Sequence, residues 1–117
     1  MNSEQLSDLV IAVLDDNKAQ EIVKLDVRKL TSVTDYMIVA SGTSNRHVRA
    51  LIEHVTEKAK EVGRKPIGVE GEDGGEWILL DLDDVLVHVM LPKVRVFYNL
   101  EKLWSFGPVI RAAATDG

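Results

Sequence analysis

One run constrains this chain more than any other: Trp77-Ile-Leu-Leu-Asp-Leu-Asp-Asp-Val-Leu-Val-His-Val-Met90. Two apolar, β-branched segments flank Asp83-Asp84, a pair suited to a tight turn, so the run reads as a β-hairpin. With those aspartates at the turn, Leu82 pairs with Val85, Leu80 with Val87 and Ile78 with Val89. Side chains alternate across a strand. One face is therefore wholly aliphatic and reads as core. The other carries Trp77, Leu79, Asp81, Leu86, His88 and Met90. Two coverings suit that mixed face: a helix of the same chain, or a partner protein.

Charge sharpens the second option. Between Pro66 and Pro92 stand seven acids (Glu70, Glu72, Asp73, Glu76, Asp81, Asp83 and Asp84) and no Lys or Arg. An aromatic anchor with an acidic rim fits docking onto a basic protein, the anchor supplying burial and the rim steering. The competing reading is a solvated acidic edge that discourages strand pairing. The whole chain has a net charge of -5, which argues against nucleic acid as the main contact. It has no cysteine, which removes disulfides, thiolate metal sites and cysteine nucleophiles. No apolar run reaches the ~18 residues of a membrane span, and Met1-Asn2-Ser3-Glu4 lacks the pattern of a signal peptide. The expected location is the cytoplasm. At 117 residues the chain suits one domain with one core.

The remaining elements follow from periodicity. Residues 3–17 read as an amphipathic helix with Leu6, Leu9, Val10, Val13 and Leu14 on one stripe and Asn2 or Ser3 as cap. Glu21 to Val27 reads as a short strand. Tyr36 to Ala40 is apolar on both faces, as in a central, doubly covered strand. Ser41-Gly42-Thr43-Ser44 is a strand-to-helix turn, and Asn45 to Val62 a long helix burying Val48, Leu51, Ile52, Val55, Ala59 and Val62. Gly63 and Pro66 end it. Ile67 to Val69 is a short strand. The glycine- and acid-rich residues 70–76 read as a mobile loop. Pro92 ends the hairpin, and a last helix runs from about Lys93 to Ser105. The domain spans residues 1–106, with 107–117 a short flexible tail. The class is α/β bordering on α+β, a single domain with a mixed sheet of about five strands. The strands flanking the long helix form a right-handed parallel crossover.

Catalytic chemistry finds little support. The Gly42–Ser44 turn could place helix amides against a phosphate, but it lacks the glycine-lysine pair of a P-loop. Joined to Asp81 and Asp83 it would form a Mg²⁺-holding, nucleotidyltransferase-type site. The carboxylates, however, lie far beyond the turn in sequence, and Asp83 falls in a turn of its own. His47 and His54 are spaced wrongly for a zinc pair and read as surface residues. His88 reads as a hydrogen-bonded, partly buried histidine. The expectation is therefore no enzyme, no catalytic residue, no metal and no cofactor.

Four blocks carry a resemblance: Asp35-Tyr36-Met-Ile-Val-Ala-Ser-Gly-Thr-Ser-Asn-Arg46, Glu70-Gly71, Trp77 to His88, and Phe97-Tyr-Asn-Leu-Glu-Lys-Leu-Trp104. In order and spacing they resemble the ribosomal silencing factor family, also called Iojap-like, over almost the whole chain to about Ser105. The resemblance implies a nucleotidyltransferase-like topology without demonstrated catalysis. It also implies binding to the large ribosomal subunit through its fourteenth ribosomal protein, which blocks small-subunit joining and represses translation when nutrients are short. Organelle relatives act in ribosome assembly, an alternative role at the same site. Free members are often homodimers. On the matching blocks, the docking residues are expected to be Trp77, Glu70, Asp81, Asp84, His88 and Met90, with Tyr98 and Asn99. The family usually has Gly where this chain has Asp83, and a more usual aromatic at Met90.

Overall fold

Asn2 caps the first helix, Ser3–Asp16 (α1): its side chain accepts from Gln5 N–H at 2.8 Å, while Gln5 Oε1 accepts from the Asn2 backbone N–H. This reciprocal box satisfies donors that a helix start otherwise leaves open. The computed structural model describes residues 1–98 and 109–111. After α1 come Gln20–Asp26 (β1), Tyr36–Ser41 (β2), Asn45–Glu61 (α2), Gly68–Glu70 (β3), Trp77–Asp81 (β4), Val85–Met90 (β5), Pro92–Tyr98 (α3) and Val109–Arg111 (β6). The helices and strands expected from periodicity are present. Most bounds move by only a residue or two, while α3 opens at Pro92 and the rest of the expected last helix lies outside the described residues. Val62 serves as the C-cap of α2 and is 37% exposed rather than buried.

The strands form one mixed sheet in the order β3-β4-β5-β2-β1-β6. Only β2 and β5 pair in parallel; the other neighbours are antiparallel. β3 does run parallel to β2, but the β4–β5 hairpin is inserted between them. The parallel neighbour of β2 is therefore β5 rather than the strand that follows α2. The reason lies in side chains: every residue of β2 is buried, and so are five of the six in β5, whereas three-residue β3 has little to bury and takes the edge. β6, from the segment expected to be a flexible tail, adds a short antiparallel strand outside β1.

Hydrogen bonds decide which helix covers which face. Lys24 stands opposite Ile38, and its ammonium reaches Asp8 of α1 at 3.2 Å. The Ile38 side of the sheet is thus the α1 side. This face carries Ile78, Leu80, Val87 and Val89 of the hairpin, all at most 1% exposed, against Leu6, Val10 and Leu14 of α1 and Leu51, Ile52 and Val55 of α2. On the opposite face Arg95 of α3 donates to Ser41 Oγ at 3.1 Å. Gly42 permits the tight entry into α2, because a Cβ there would stand 2.8 Å from Val48 Cγ2 and 3.0 Å from its backbone N.

Candidate functional site: the second face of the hairpin

The hairpin register is the one its sequence demands. Trp77 faces Met90, Leu79 faces His88 and Asp81 faces Leu86, while Ile78, Leu80, Val87 and Val89 point to the helices. The turn is the two-residue loop Asp83-Asp84: Leu82 N–H donates to Val85 C=O at 3.0 Å, and Asp84 N–H donates to Leu82 C=O at 3.1 Å across Asp83, which has φ +77°. Asp83 N–H is in turn held by Asp81 Oδ1 at 2.8 Å. Aspartate tolerates this backbone region better than most residues.

The mixed face is divided between a closed part and an open one. Toward β2 the face is closed: Met37, Val39, Ser41, His88 and Met90 are buried. Toward the β3 edge it stays open, with Trp77, Leu79, Asp81 and Leu86 half-buried. There Glu70, Gly71, Trp77, Leu79 and His88 line a shallow hollow of about 240 Å³. The Trp77 indole N–H donates to His88 Nδ1 at 3.1 Å, with ring centroids 6.0 Å apart. Burial pushes the imidazole pKa down to about 4, because a charged ring would lose its hydration there. His88 is thus neutral at pH 7. Among the described residues its Nε2 has no hydrogen-bond partner.

Of the residues expected to dock, Trp77, Glu70 and His88 meet at this hollow, and Asp81 lies on the same face two residues along β4 from Leu79. Met90 is 0% exposed and offers no atom to a partner; it is core, cross-strand from Trp77. Asp84 is engaged within the chain: its carboxylate holds Arg64 at 2.9 Å, and Arg64 also donates to the Met1 carbonyl at 2.7 Å. That ion pair ties the end of α2 to the hairpin turn. Tyr98 ends α3 as described, and Asn99 lies outside the described residues.

Three features escaped periodicity. Gly71 has φ +89°, and a Cβ there would fall 2.1 Å from the Trp77 carbonyl oxygen, so only glycine lets the loop close over the start of β4. The acidic loop is also tethered rather than loose. Arg49 donates to the carbonyls of Glu72 and Asp73 at 3.1 and 2.9 Å, and Asn45 to that of Gly74 at 2.8 Å. Finally, His47 is no mere surface residue. Its Nδ1 accepts from Thr43 N–H at 2.9 Å, and its Nε2–H donates to the Asn17 carbonyl at 3.0 Å, joining the ends of α2 and α1.

The Mg²⁺ and nucleotide constellation is not assembled. Register puts Ser41 opposite Met90 and Tyr36 opposite Val85, so the Gly42–Ser44 turn lies at one end of the sheet and Asp81–Asp83 at the other. Five strand steps, roughly 17 Å, separate them. The amides of Gly42, Thr43 and His47 are already occupied by Met90 C=O, His47 Nδ1 and Ser44 Oγ. Among the described residues no group of three His, Asp or Glu could hold a metal ion, and no helix is long and apolar enough to cross a membrane.

Fold and site define an α+β domain with one sheet face sealed by helices and the other partly open around a tryptophan. The family described as "Ribosomal silencing factor during starvation" matches residues 1–116, and the chain belongs to it. It is 50% identical over 105 residues to "Ribosomal silencing factor RsfS" of Chromobacterium violaceum, covering 90% of this chain and 86% of that protein. A crystal structure of a protein from the same organism superposes with a TM-score of 0.88 at 50% identity, covering 90% and 88% of the two chains. "Mitochondrial assembly of ribosomal large subunit protein 1" of Mus musculus is 32% identical over 84% of this chain and 44% of its own length.

Proposed function

We propose that the protein docks through the open half of the hairpin face onto a basic protein of the large ribosomal subunit, the fourteenth of that subunit. The docked domain occupies the surface where the small subunit joins and so represses translation under nutrient limitation. The observation that carries this reading is Trp77: a half-buried indole on a sheet face, at a hollow rimmed by Glu70. Among the described residues Glu70, Glu72 and Asp73 have no ion pair, so their charge is available to steer a basic partner. The mechanism is steric and needs no cofactor. It places the protein in the cytoplasm, and free copies pair as homodimers. The mouse relative's name favours a second role at the same surface, in large-subunit assembly.

The test is co-sedimentation with isolated large and small ribosomal subunits. The wild-type protein should pellet with the large subunit alone, less so as salt rises. Trp77→Ala should stay folded by circular dichroism and bind at least tenfold more weakly, as loss of an interface anchor does. Binding of Trp77→Ala equal to wild type would remove the anchor. A subunit-joining assay then separates silencing from assembly.

A further inference from the structure

Among the described residues one buried side-chain atom beside Trp77, His88 Nε2, has no hydrogen-bond partner. The indole N–H of Trp77 can only donate, and it donates to His88 Nδ1. Nδ1 therefore carries its lone pair, and a neutral imidazole must hold its proton on Nε2. His88 is 8% exposed, and among the described residues Nε2 meets no acceptor, neither backbone nor side chain. A buried donor left without an acceptor costs more than a made hydrogen bond gains, and native structures keep few of them. His88 is also one of the residues that line the hollow of about 240 Å³ beside Trp77.

We propose that this hollow is the subsite for an amide carbonyl of the docked ribosomal protein, which accepts from His88 Nε2–H. The inference rests on the docking reading and specifies its chemistry. The acceptor is neutral: Glu70 at the rim repels a carboxylate, and a cation has no acceptor to meet on a protonated Nε2. Nε2 is itself buried, so docking must displace the Trp77 indole, which is half-buried while its cross-strand neighbour Met90 is fully packed, for the carbonyl to reach it. Trp77 thus acts twice, as an apolar anchor and as the group whose N–H fixes the His88 tautomer.

Two measurements test this. Histidine-selective ¹⁵N spectra of the free wild-type protein at pH 7 should show His88 protonated at Nε2 and bare at Nδ1; the opposite tautomer overturns the proposal. Co-sedimentation with isolated large subunits should show His88→Phe binding about tenfold more weakly, the effect of one lost hydrogen bond, with His88→Gln recovering part of the loss. Because Phe also deprives the indole of its acceptor, the comparison is repeated in a Trp77→Phe background. There His88→Phe should still weaken binding severalfold; no further loss would assign the effect to Trp77 alone and overturn the subsite. Should His88→Phe fail to fold, the tautomer and the His88→Gln variant decide. Wild type that pellets with large subunits as tightly as His88→Phe does would sink the subsite and leave docking intact. Wild type that does not pellet at all would sink both.

Discussion

The two faces of the β4–β5 hairpin are built on the same residues of backbone, yet they have opposite physical characters. Toward the helices, Ile78, Leu80, Val87 and Val89 are aliphatic and sealed, with no polar side chain among them to satisfy. On the other side, Trp77, Leu79, Asp81 and Leu86 remain half-buried, and the Nε2 of the buried histidine beside them has no hydrogen-bond partner among the described residues. The first face is a finished interface. The second is incomplete by two criteria, exposed apolar area and an unmatched polar atom, and incompleteness of that kind is what a binding surface retains.

The sharpest way to break this comparison is to truncate one leucine on each face. Leu80→Ala opens a cavity in the sealed layer and should cost about 2–5 kcal/mol in urea denaturation. Leu79→Ala, one residue away, should cost about 1 kcal/mol or less, since half its side chain already meets water. Equal losses would mean that both faces are core.

Acid should weaken only the second face. The His88 pKa is about 4 in the folded chain and about 6.5 when unfolded, so between those values the unfolded state binds more protons. The neutral ring's contribution is fully present above pH 6.5 and is lost as pH falls toward 4, about 3 kcal/mol in all. Unfolding free energies of wild type and His88→Phe, followed from pH 7 to pH 4, should diverge by that order, with the variant less sensitive to acid. Parallel curves would show that His88 is hydrated or paired.

The smallest effect concerns the turn shared by both faces. Asp83 holds φ +77°, so Asp83→Gly should relieve backbone strain and raise stability by about 0.5–1 kcal/mol. A loss instead would show that the Asp81–Asp83 hydrogen-bond geometry outweighs the strain. The thermal midpoint measures it.

Much of this was legible in the residues. Strict alternation on both sides of Asp83-Asp84 predicted the pairing of Leu80 with Val87 and Ile78 with Val89, and a slip of one residue would have put aliphatic side chains on the mixed face. The caps at Asn2 and Ser44, the all-apolar β2 and the stripe of α2 were equally local signals. The site was legible only in part. Trp77, Glu70 and His88 do converge, but Asp84 and Met90, which share their sequence block, serve the fold. Nothing in a strand pattern states that Asp84 will find Arg64 twenty positions away, or that Met90 will be covered while Trp77, its cross-strand neighbour, is not.

By itself, then, the sequence determined the elements, their inward faces and the family, because periodicity, capping and block order are properties of neighbouring residues. Only the tertiary structure decided the rest. It inserted the hairpin between β2 and β3, and by pairing β5 parallel to β2 it put the Gly42–Ser44 turn and the Asp81–Asp83 turn at opposite ends of the sheet. It pinned the acidic loop with Arg49 and Asn45. It also left His88 Nε2, beside Trp77, without a hydrogen-bond partner among the described residues. Each of these depends on which distant groups meet across the sheet, and that is set by the packing of whole faces, not by any one stretch of chain.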